Sequence, residues 1–242
     1  ADVLMYDKLA NPALLEYARR DVELIDVGKK GPREAVKEGS SDAARPSGTT
    51  MQQEINQTLI EQALKGKKVV RLKGGDPFIF GRGGEELLAA AEQGIAVEIV
   101  PGITAAMGGA SYAGIPLTHR HMSQSVRFVT GHSVEHGVNV DWPELAKPEQ
   151  TLVIYMGLVG IEKILQRLVD AGRGDRTPAA LLENTTLPNH REVFGTLGDL
   201  ADKVREAAID GPSIIIVGEV AGIPAQVREL YASASAGSSI NS

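Results

Sequence analysis

Short runs of β-branched residues alternate with helical patterns along most of this chain of 242 residues. This alternation predicts an α/β protein. The predicted strands are Val22–Val27, Lys67–Lys73, Ala96–Val100, Val126–Thr130, Thr151–Met156, Ala179–Glu183 and Ser213–Val217. The predicted helices are Met51–Lys65, Gly84–Gln93, Thr104–Tyr112, Gly160–Ala171 and Leu197–Ala208. The last strand is apolar almost throughout, which predicts burial on both faces. Gly66 and Gly94 directly follow two of the helices and predict C-caps.

The alternation is interrupted around Gly114–Thr118, and a domain junction is predicted near Leu117–Ser123. The resulting α/β domains, 1–118 and 119–231, each have about 120 residues, near the lower end of common domain sizes. The segment Lys30–Thr50 is rich in Gly, Ser, Pro and charged residues and has no clear period, which predicts a loop. The Ala- and Ser-rich segment 232–242 is predicted to be a disordered tail.

Composition removes several classes of function. The chain has no cysteine, which excludes disulfides, thiolate nucleophiles and zinc sites with Cys ligands. Its formal net charge of −6 argues against a nucleic-acid partner, since such proteins usually carry a basic face. No apolar run approaches the roughly 20 residues that cross a bilayer, and the first residues lack the pattern of a secretory signal. We therefore expect a cytoplasmic protein that binds neither membrane nor nucleic acid.

A glycine-rich segment follows the second predicted strand. The strand leads into Gly74, Gly75, Asp76 and Pro77, and a second glycine cluster opens the next helix. Glycines at the end of a strand allow backbone N–H groups to approach a ligand closely, although glycine clusters also serve as plain turns. The segment has neither the dinucleotide-binding G-x-G-x-x-G pattern nor a Walker loop. Spacing alone therefore predicts a small-molecule site at the carboxyl end of a strand.

The sequence from Arg71 to Glu86 resembles, almost letter for letter, the glycine-rich motif of the uroporphyrinogen-III C-methyltransferases of the tetrapyrrole methylase family. The resemblance continues in order and spacing from Ala1 to about Val220. Further matching stretches are Tyr6–Leu9, Val27–Lys29, Val100–Ala105, Tyr112–Arg120 and Val153–Gly157.

The resemblance implies two α/β domains with S-adenosyl-L-methionine held in the cleft between them. It further implies methylation of uroporphyrinogen III at C2 and C7 to give precorrin-2 and S-adenosyl-L-homocysteine, in sirohaem or cobalamin biosynthesis, by a homodimer. The implied proton acceptor is Asp7 and the implied proton donor is Lys29, although on sequence alone a loop Asp is commonly a cap and a Lys commonly a solvated surface residue. The implied cofactor contacts are Gly74, Gly75, Asp76, Ile79, Thr104, Ala105, Met156 and Thr185.

The substrate carries eight carboxylates, which arginine forks can bind with two parallel hydrogen bonds. The residues that the resemblance assigns to the substrate are Lys8, Arg82, Glu85 and Arg120. His119 and His121 flank the last of these, but no carboxylate pattern completes a metal site, and none is predicted.

The chain departs from the family pattern in four places. A strand and Gly-x-Gly-Pro-Gly-Asp loop normally precede the segment that matches Ala1, and the loop 30–50 is longer than usual. Thr185 stands where a cofactor-contacting Gly is expected, and would be strained if that position needs a positive φ. Lys8 replaces an Arg and retains its charge without the fork.

Two alternatives stay open. One is a related methyltransferase that acts on a later corrin precursor, on ribosomal RNA or on a protein histidine, although the run Phe78–Glu86 argues against each. The other is a non-catalytic protein that binds the cofactor or a tetrapyrrole. The missing Gly-Pro-Gly-Asp loop favours this second alternative, whereas retention of Asp7, Lys29, Arg82 and Arg120 argues against it.

Overall fold

The structure is a computed structural model that describes residues 1–28, 51–131 and 140–238. The chain divides into two compact units, Ala1–Ile103 and Thr104–Ser242. The junction predicted near Leu117–Ser123 differs from this division, because the helix that follows Thr104 packs with the strands of the second unit. The domain boundary near Leu117–Ser123 therefore stays a prediction.

The first unit contains a parallel three-stranded sheet in the order β2-β1-β3. Its strands are β1 (Val3–Tyr6), β2 (Glu23–Asp26) and β3 (Val69–Arg71). A 3₁₀ helix (Pro12–Tyr17) lies between β1 and β2, and the longer helices are α1 (Met51–Leu64) and α2 (Gly83–Glu92). Val3, Leu4 and Met5 of the central strand are all buried, and Val3 and Met5 pack against Ile55 of α1.

The sequence did not predict β1, whose four residues stand near the start of the chain without a flanking helix. The strand predicted at Ala96–Val100 is wrong: this segment pairs with no strand among residues 1–28, 51–131 and 140–238. Alternating β-branched residues favour extended backbone, but a strand also requires a neighbour that accepts and donates its backbone hydrogen bonds. The predicted C-caps are consistent with the structure, in which Gly66 and Gly94 have φ of +79° and +70°.

The second unit contains a mixed five-stranded sheet in the order β4-β5-β8-β6-β7. Its strands are β4 (Ser125–Thr130), β5 (Gln150–Tyr155), β6 (Pro178–Glu183), β7 (Arg191–Thr196) and β8 (Ser213–Val217). Its helices are α3 (Ala105–Tyr112), α4 (Trp142–Leu145), α5 (Ile161–Asp170), α6 (Leu200–Glu206) and α7 (Ile223–Ser238), with a 3₁₀ helix at Glu219–Gly222. β4 and β5 are parallel, whereas β8 is antiparallel to both of its neighbours.

The central strand β8 is buried on both faces, as the sequence predicted. Ile215 and Val217 belong to a core that includes α5 and α6, while Ile214 and Ile216 belong to a core that includes α3. A strand between two layers needs apolar residues at successive positions, and this requirement explains its uniformly apolar sequence.

The predicted disordered tail is wrong as far as Ser238, because α7 continues through this segment. Alanine has the highest helix propensity, and the hydroxyl groups of Ser233 and Ser235 donate to the carbonyls of Glu229 and Tyr231 one turn earlier. These hydroxyl groups therefore find partners inside the helix. Residues 239–242 and the predicted loop 30–50 lie outside the described residues.

Among the described ranges, no helix has both the length and the apolar character needed to cross a bilayer.

Candidate functional site

The glycine-rich turn after β3 lies against the segment that follows β1. A Cβ atom at Gly74 would stand only 2.4 Å from the carbonyl oxygen of Leu9, a separation that side-chain atoms do not tolerate. The turn can therefore approach this backbone only because residue 74 is glycine. This contact brings the predicted cofactor turn close to Asp7, which begins the same loop as Leu9.

Asp76 links the glycine-rich turn by a hydrogen bond to the loop that contains Gly102. Its Oδ1 accepts a hydrogen bond from the backbone N–H of Phe78 at 2.9 Å, and its Oδ2 accepts one from Gly102 at 3.2 Å. The two loops pass so closely that a Cβ at Gly102 would lie 2.7 Å from the carbonyl oxygen of Gly75. An ionised carboxylate can accept further hydrogen bonds, so Asp76 retains acceptor capacity for a ligand hydroxyl or amine.

Three large apolar side chains, Phe78, Ile79 and Phe80, are exposed in succession on the loop that follows. Phe80 and Arg82 also have positive φ, at +52° and +58°. A bulky residue in the left-handed region costs on the order of 1–3 kcal/mol and is typical of ligand-binding segments. Exposed apolar residues on a strained loop indicate a surface that contacts an apolar part of a ligand.

Arg82 and Glu85, two of the predicted substrate residues, contact each other. The guanidinium donates from Nε to Oε1 at 2.9 Å and from Nη2 to Oε2 at 2.6 Å. The hydrogen bonds to Glu85 raise the pKa of Arg82 above its ordinary value, so this side chain is a permanent cation. Both side chains are largely exposed, and the guanidinium retains further N–H donors for a carboxylate.

The predicted proton acceptor, Asp7, lies directly after β1 and is fixed at both oxygens. Its Oδ1 accepts from the backbone N–H of Leu9 at 3.0 Å, and its Oδ2 accepts from Nη2 of Arg71 at 2.7 Å. The bond to Leu9 is the local cap that loop aspartates commonly make, and the bond to Arg71 is additional. Lys8 is exposed beside it, and Lys29 lies outside the described residues.

In the second unit, the predicted contacts Thr104 and Ala105 stand at the start of α3, where Tyr155 holds them. The Tyr155 hydroxyl lies 2.5 Å from the Thr104 hydroxyl and accepts from the backbone N–H of Ala106 at 2.9 Å. Thr104 occupies the N-cap position without a side-chain capping bond, so Tyr155 satisfies one of the orphan N–H groups of this helix.

Met156 and Thr185 lie at the same edge of the second sheet. β5 and β6 are both antiparallel to β8, and Tyr155 and Leu182 are both paired with Ile214, so the carboxyl ends of β5 and β6 stand level. Met156 follows β5 with a φ of +54° and is half-exposed. Thr185 follows β6, and its hydroxyl would stand 3.4 Å from a Cβ at Gly109 of α3.

Thr185 is not among the residues with positive φ, whereas its neighbours Asn184 and Thr186 are, at +48° and +73°. The position therefore does not demand glycine on account of φ. A β-branched residue at +73° is a marked outlier, so strain is concentrated around this segment.

The loop that bears Thr185 is anchored by the fully buried carboxylate of Glu183. Burial would raise its pKa, but hydrogen bonds from Arg191 at 2.5 Å and from the backbone N–H groups of Gly211 and Asp210 hold the pKa of Glu183 below its ordinary value. Because these bonds favour the ionised form, Glu183 is a carboxylate at neutral pH.

The predicted substrate residue Arg120 is exposed on a turn between His119 and Ser123, whose backbones form an isolated β-bridge. Its carbonyl accepts a hydrogen bond from the side-chain amide of Gln124. The rings of His119 and His121 are 6.2 Å apart, centroid to centroid. Within residues 1–28, 51–131 and 140–238, no group of three or more His, Cys, Asp or Glu side chains is arranged to hold a metal ion.

Residues 1–201 match the family model described as Tetrapyrrole (Corrin/Porphyrin) Methylases. The chain belongs to this family. The predicted family and the predicted α/β fold are therefore confirmed.

Curated relatives of this tetrapyrrole methylase include the siroheme synthase of Pseudomonas fluorescens (strain Pf0-1). It is 51% identical over 232 residues, which cover 96% of this chain and 46% of that protein. The siroheme synthase of Stutzerimonas stutzeri (strain A1501) is 50% identical over the same shares of the two chains. The chain thus spans about half the length of the curated relatives that it matches.

Among solved structures, the uroporphyrin-III C-methyl transferase from Thermus thermophilus, complexed with S-adenyl homocysteine, is 33% identical. The match has a TM-score of 0.71 and covers 92% of this chain and 88% of that one. A cobalt precorrin-4 methyltransferase has a TM-score of 0.74 at 24% identity, a likeness that concerns the fold alone.

Sequence reasoning missed several side chains that support the predicted site residues of this tetrapyrrole methylase. Tyr155 was placed in a predicted strand and in a stretch that matches the family, but no role was predicted for its hydroxyl, which binds the start of α3. Arg71, Lys73 and Glu86 were read as part of the motif without a role of their own. A sequence signal did exist, because Arg71 and Lys73 have the two-residue spacing that directs side chains to one side of an extended segment.

Proposed function

We propose that this chain catalyses methyl transfer from S-adenosylmethionine to C2 and C7 of uroporphyrinogen III, giving precorrin-2 and S-adenosylhomocysteine for sirohaem or cobalamin biosynthesis. The observation that carries the proposal is the match, over 92% of this chain, to a uroporphyrin-III C-methyl transferase complexed with S-adenyl homocysteine. The siroheme synthases support the same pathway, and this chain corresponds to about half of each. A cytoplasmic homodimer stays a prediction from the family resemblance.

The residues of this chain fit an adenosylmethionine ligand. Asp76 has acceptor capacity for hydroxyl or amine groups, and Ile79 is an exposed apolar contact on the adjoining loop. Gly74 and Gly75 form the turn, and the further proposed contacts are Thr104, Ala105, Met156 and Thr185. When bound, S-adenosylmethionine supplies an already activated methyl group. The protein therefore has mainly to align a ring carbon with that methyl group.

Asp7 is proposed to accept the proton that the methylated ring carbon must lose. A carboxylate is suited to this role if it is positioned and ionised, and Arg71 stands 2.7 Å from its Oδ2. Lys29 is proposed as the proton donor. Lys8, Arg82, Glu85 and Arg120 are proposed to bind the substrate, and the exposed guanidinium groups supply the paired donors that its carboxylates require.

The test is a methylation assay on the purified chain. Uroporphyrinogen III is generated in situ with labelled S-adenosylmethionine, and the label and the absorbance of the oxidised product are followed. The assay is repeated with the family's first strand and Gly-Pro-Gly-Asp loop placed before Ala1. We expect two methyl groups per tetrapyrrole in at least one of these forms.

Two variants test the proposed role of Asp7 in this assay. Asp7→Asn should lower methyl transfer by about 10²–10⁴-fold, the usual contribution of a general base, while S-adenosylhomocysteine binding is retained. Asp21→Asn is the matched control on the surface, since this carboxylate is largely exposed. If S-adenosylhomocysteine binds but neither form methylates uroporphyrinogen III, the proposed substrate is wrong. Full activity in Asp7→Asn would remove the proposed role of Asp7.

A further inference from the structure

A buried group of charges lies behind Asp7 in the first unit. The carboxylate of Glu86, on the first turn of α2, is only 8% exposed. It accepts from Nε of Arg71 at 3.3 Å, from Nζ of Lys73 at 2.9 Å and from the side-chain amide of Gln52 at 3.3 Å. Each of these partners is itself almost buried. An isolated carboxylate at this depth would be costly, and the two cations offset that cost.

Arg71 connects this buried carboxylate to Asp7. Its guanidinium donates from Nε to Glu86, from Nη2 to Asp7 and from Nη1 to the carbonyl of Leu72 at 2.7 Å. Bonds from all three of its nitrogens fix the plane of the guanidinium as well as its position. A planar donor fork held in this way can orient a carboxylate, which a rotating ammonium group cannot do.

Charge balance shows why Glu86 matters for this orientation. Asp7 and Glu86 carry two negative charges, and Arg71 and Lys73 carry two positive charges, so the group as a whole is neutral. Removal of the charge on Glu86 would leave two nearly buried cations with Asp7 as the remaining carboxylate of the group. The Lys73 ammonium would then lose its anionic partner, and Nε of Arg71 would keep only an uncharged amide oxygen, which is a weaker acceptor and fixes its rotation less firmly.

We propose that Glu86 is a positioning residue, which holds Arg71 in the orientation that aims the carboxylate of Asp7 at the reacting ring. The proposal rests on the proposed function, in which Asp7 accepts a proton. Neither Glu86 nor Arg71 needs to touch the substrate. Misplacement of a reacting group by about 1 Å can cost on the order of 10²-fold in rate. Loss of this support should therefore lower kcat and leave cofactor binding almost unchanged.

The experiment combines Glu86→Gln with Asp7→Asn in a double-mutant cycle. In the otherwise unchanged protein, Glu86→Gln should lower kcat by about 10- to 100-fold, with the Kd of S-adenosylhomocysteine changed less than about threefold. In the Asp7→Asn background, the same substitution should change the residual rate less than about twofold, because the carboxylate that it positions is gone. Glu92→Gln is the matched control, since Glu92 lies exposed on the same helix.

An equal loss of kcat in both backgrounds would overturn the proposal, because Glu86 would then act independently of Asp7. A loss of cofactor affinity as large as the loss of kcat would also overturn it, since it would indicate general damage to the unit. If Glu86→Gln does not fold, Arg71→Lys provides the same cycle, because lysine retains the charge but cannot bridge Asp7 and Glu86 as a fork does.

A second measurement does not depend on activity. The Arg71 Nε–H resonance in nitrogen-15 NMR should be sharp and slow to exchange in the unchanged protein and in Glu92→Gln, and should broaden or vanish in Glu86→Gln. If neither form of the protein methylates uroporphyrinogen III, the proposed function fails, and this resonance still decides whether Glu86 fixes Arg71. A sharp, protected resonance in Glu86→Gln would refute the positioning role.

Discussion

Tyr155→Phe isolates the hydroxyl that holds the start of α3. The substitution retains the ring, which contacts Phe128 at 6.0 Å between centroids, and removes only the oxygen that bonds Thr104 and Ala106. All three of these polar groups are buried. No replacement donor or acceptor is expected to reach them without rearrangement of the helix start.

The expected loss of stability in Tyr155→Phe follows from the two hydrogen bonds of the Tyr155 hydroxyl. Each contributes about 1 kcal/mol net, and a buried N–H left without a partner adds about 1–3 kcal/mol. The Thr104 hydroxyl can rotate toward another acceptor, whereas the N–H of Ala106 is fixed by the helix. We therefore expect a loss of about 2–4 kcal/mol in the free energy of unfolding. Cofactor affinity should fall by about 3- to 10-fold, since Thr104 and Ala105 are proposed contacts and tenfold corresponds to about 1.4 kcal/mol.

Urea unfolding and amide hydrogen exchange measure this prediction. The midpoint should fall, and the Ala106 amide should lose protection that its neighbours in the middle of α3 retain. Tyr231→Phe is the control, because that side chain is 72% exposed and its substitution should cost less than about 0.5 kcal/mol. A loss below about 1 kcal/mol in Tyr155→Phe, with Ala106 still protected, would refute the reasoning, because two buried bonds at this net value would cost more.

Three further substitutions test other parts of the site. Because the pKa of Glu183 is held below its ordinary value, its stabilisation is fully present above that ordinary value and is lost as pH falls through the lower folded pKa. Glu183→Gln should therefore be less stable than the unchanged protein at neutral pH in urea unfolding, and should not show this loss of stability in acid. Gly74→Ala would place a Cβ 2.4 Å from the carbonyl oxygen of Leu9 and so displace the turn. Calorimetry should then show S-adenosylhomocysteine binding weakened at least about tenfold, which corresponds to about 1.4 kcal/mol. Gly84→Ala is the control and should bind normally, because a Cβ at Gly84 would have no atom within 4 Å. Arg82→Lys should raise KM for uroporphyrinogen III by about tenfold in the methylation assay through loss of the paired donors, and an unchanged KM would argue against substrate contact.

The sequence predicted those elements whose apolar residues repeat over a long enough stretch. The pattern at Gly160–Ala171 predicted the helix found as α5 (Ile161–Asp170), and the run Ser213–Val217 predicted a strand covered on both faces. The sequence predicted wrong strands or missed real ones where amino-acid composition was a poor guide to strand pairing. Ala96–Val100 has the composition of a strand but pairs with none in the described parts of the chain, and β7 begins with polar residues and includes Gly195.

For the site, the sequence identified the residues of the motif but not their supports. The Gly74–Asp76 turn and the paired Arg82 and Glu85 could be found by resemblance, because all lie within one short segment. Tyr155 lies 51 residues beyond Thr104, and this distance along the chain leaves no local signal of their hydrogen bond.

The sequence by itself determined the order of most elements, the family and the residues proposed for the chemistry, because periodicity and motif spacing are local properties of the chain. Only the tertiary structure decided which of these residues are fixed by hydrogen bonds and ion pairs, and which side chains fix them. Asp7, Arg71 and Glu86 come from two strand ends and a helix, and they meet because parallel strands β1 and β3 bring their carboxyl ends to one edge of the sheet. A hydrogen-bonded group of this kind depends on strand pairing and burial, which involve residues far apart in the chain.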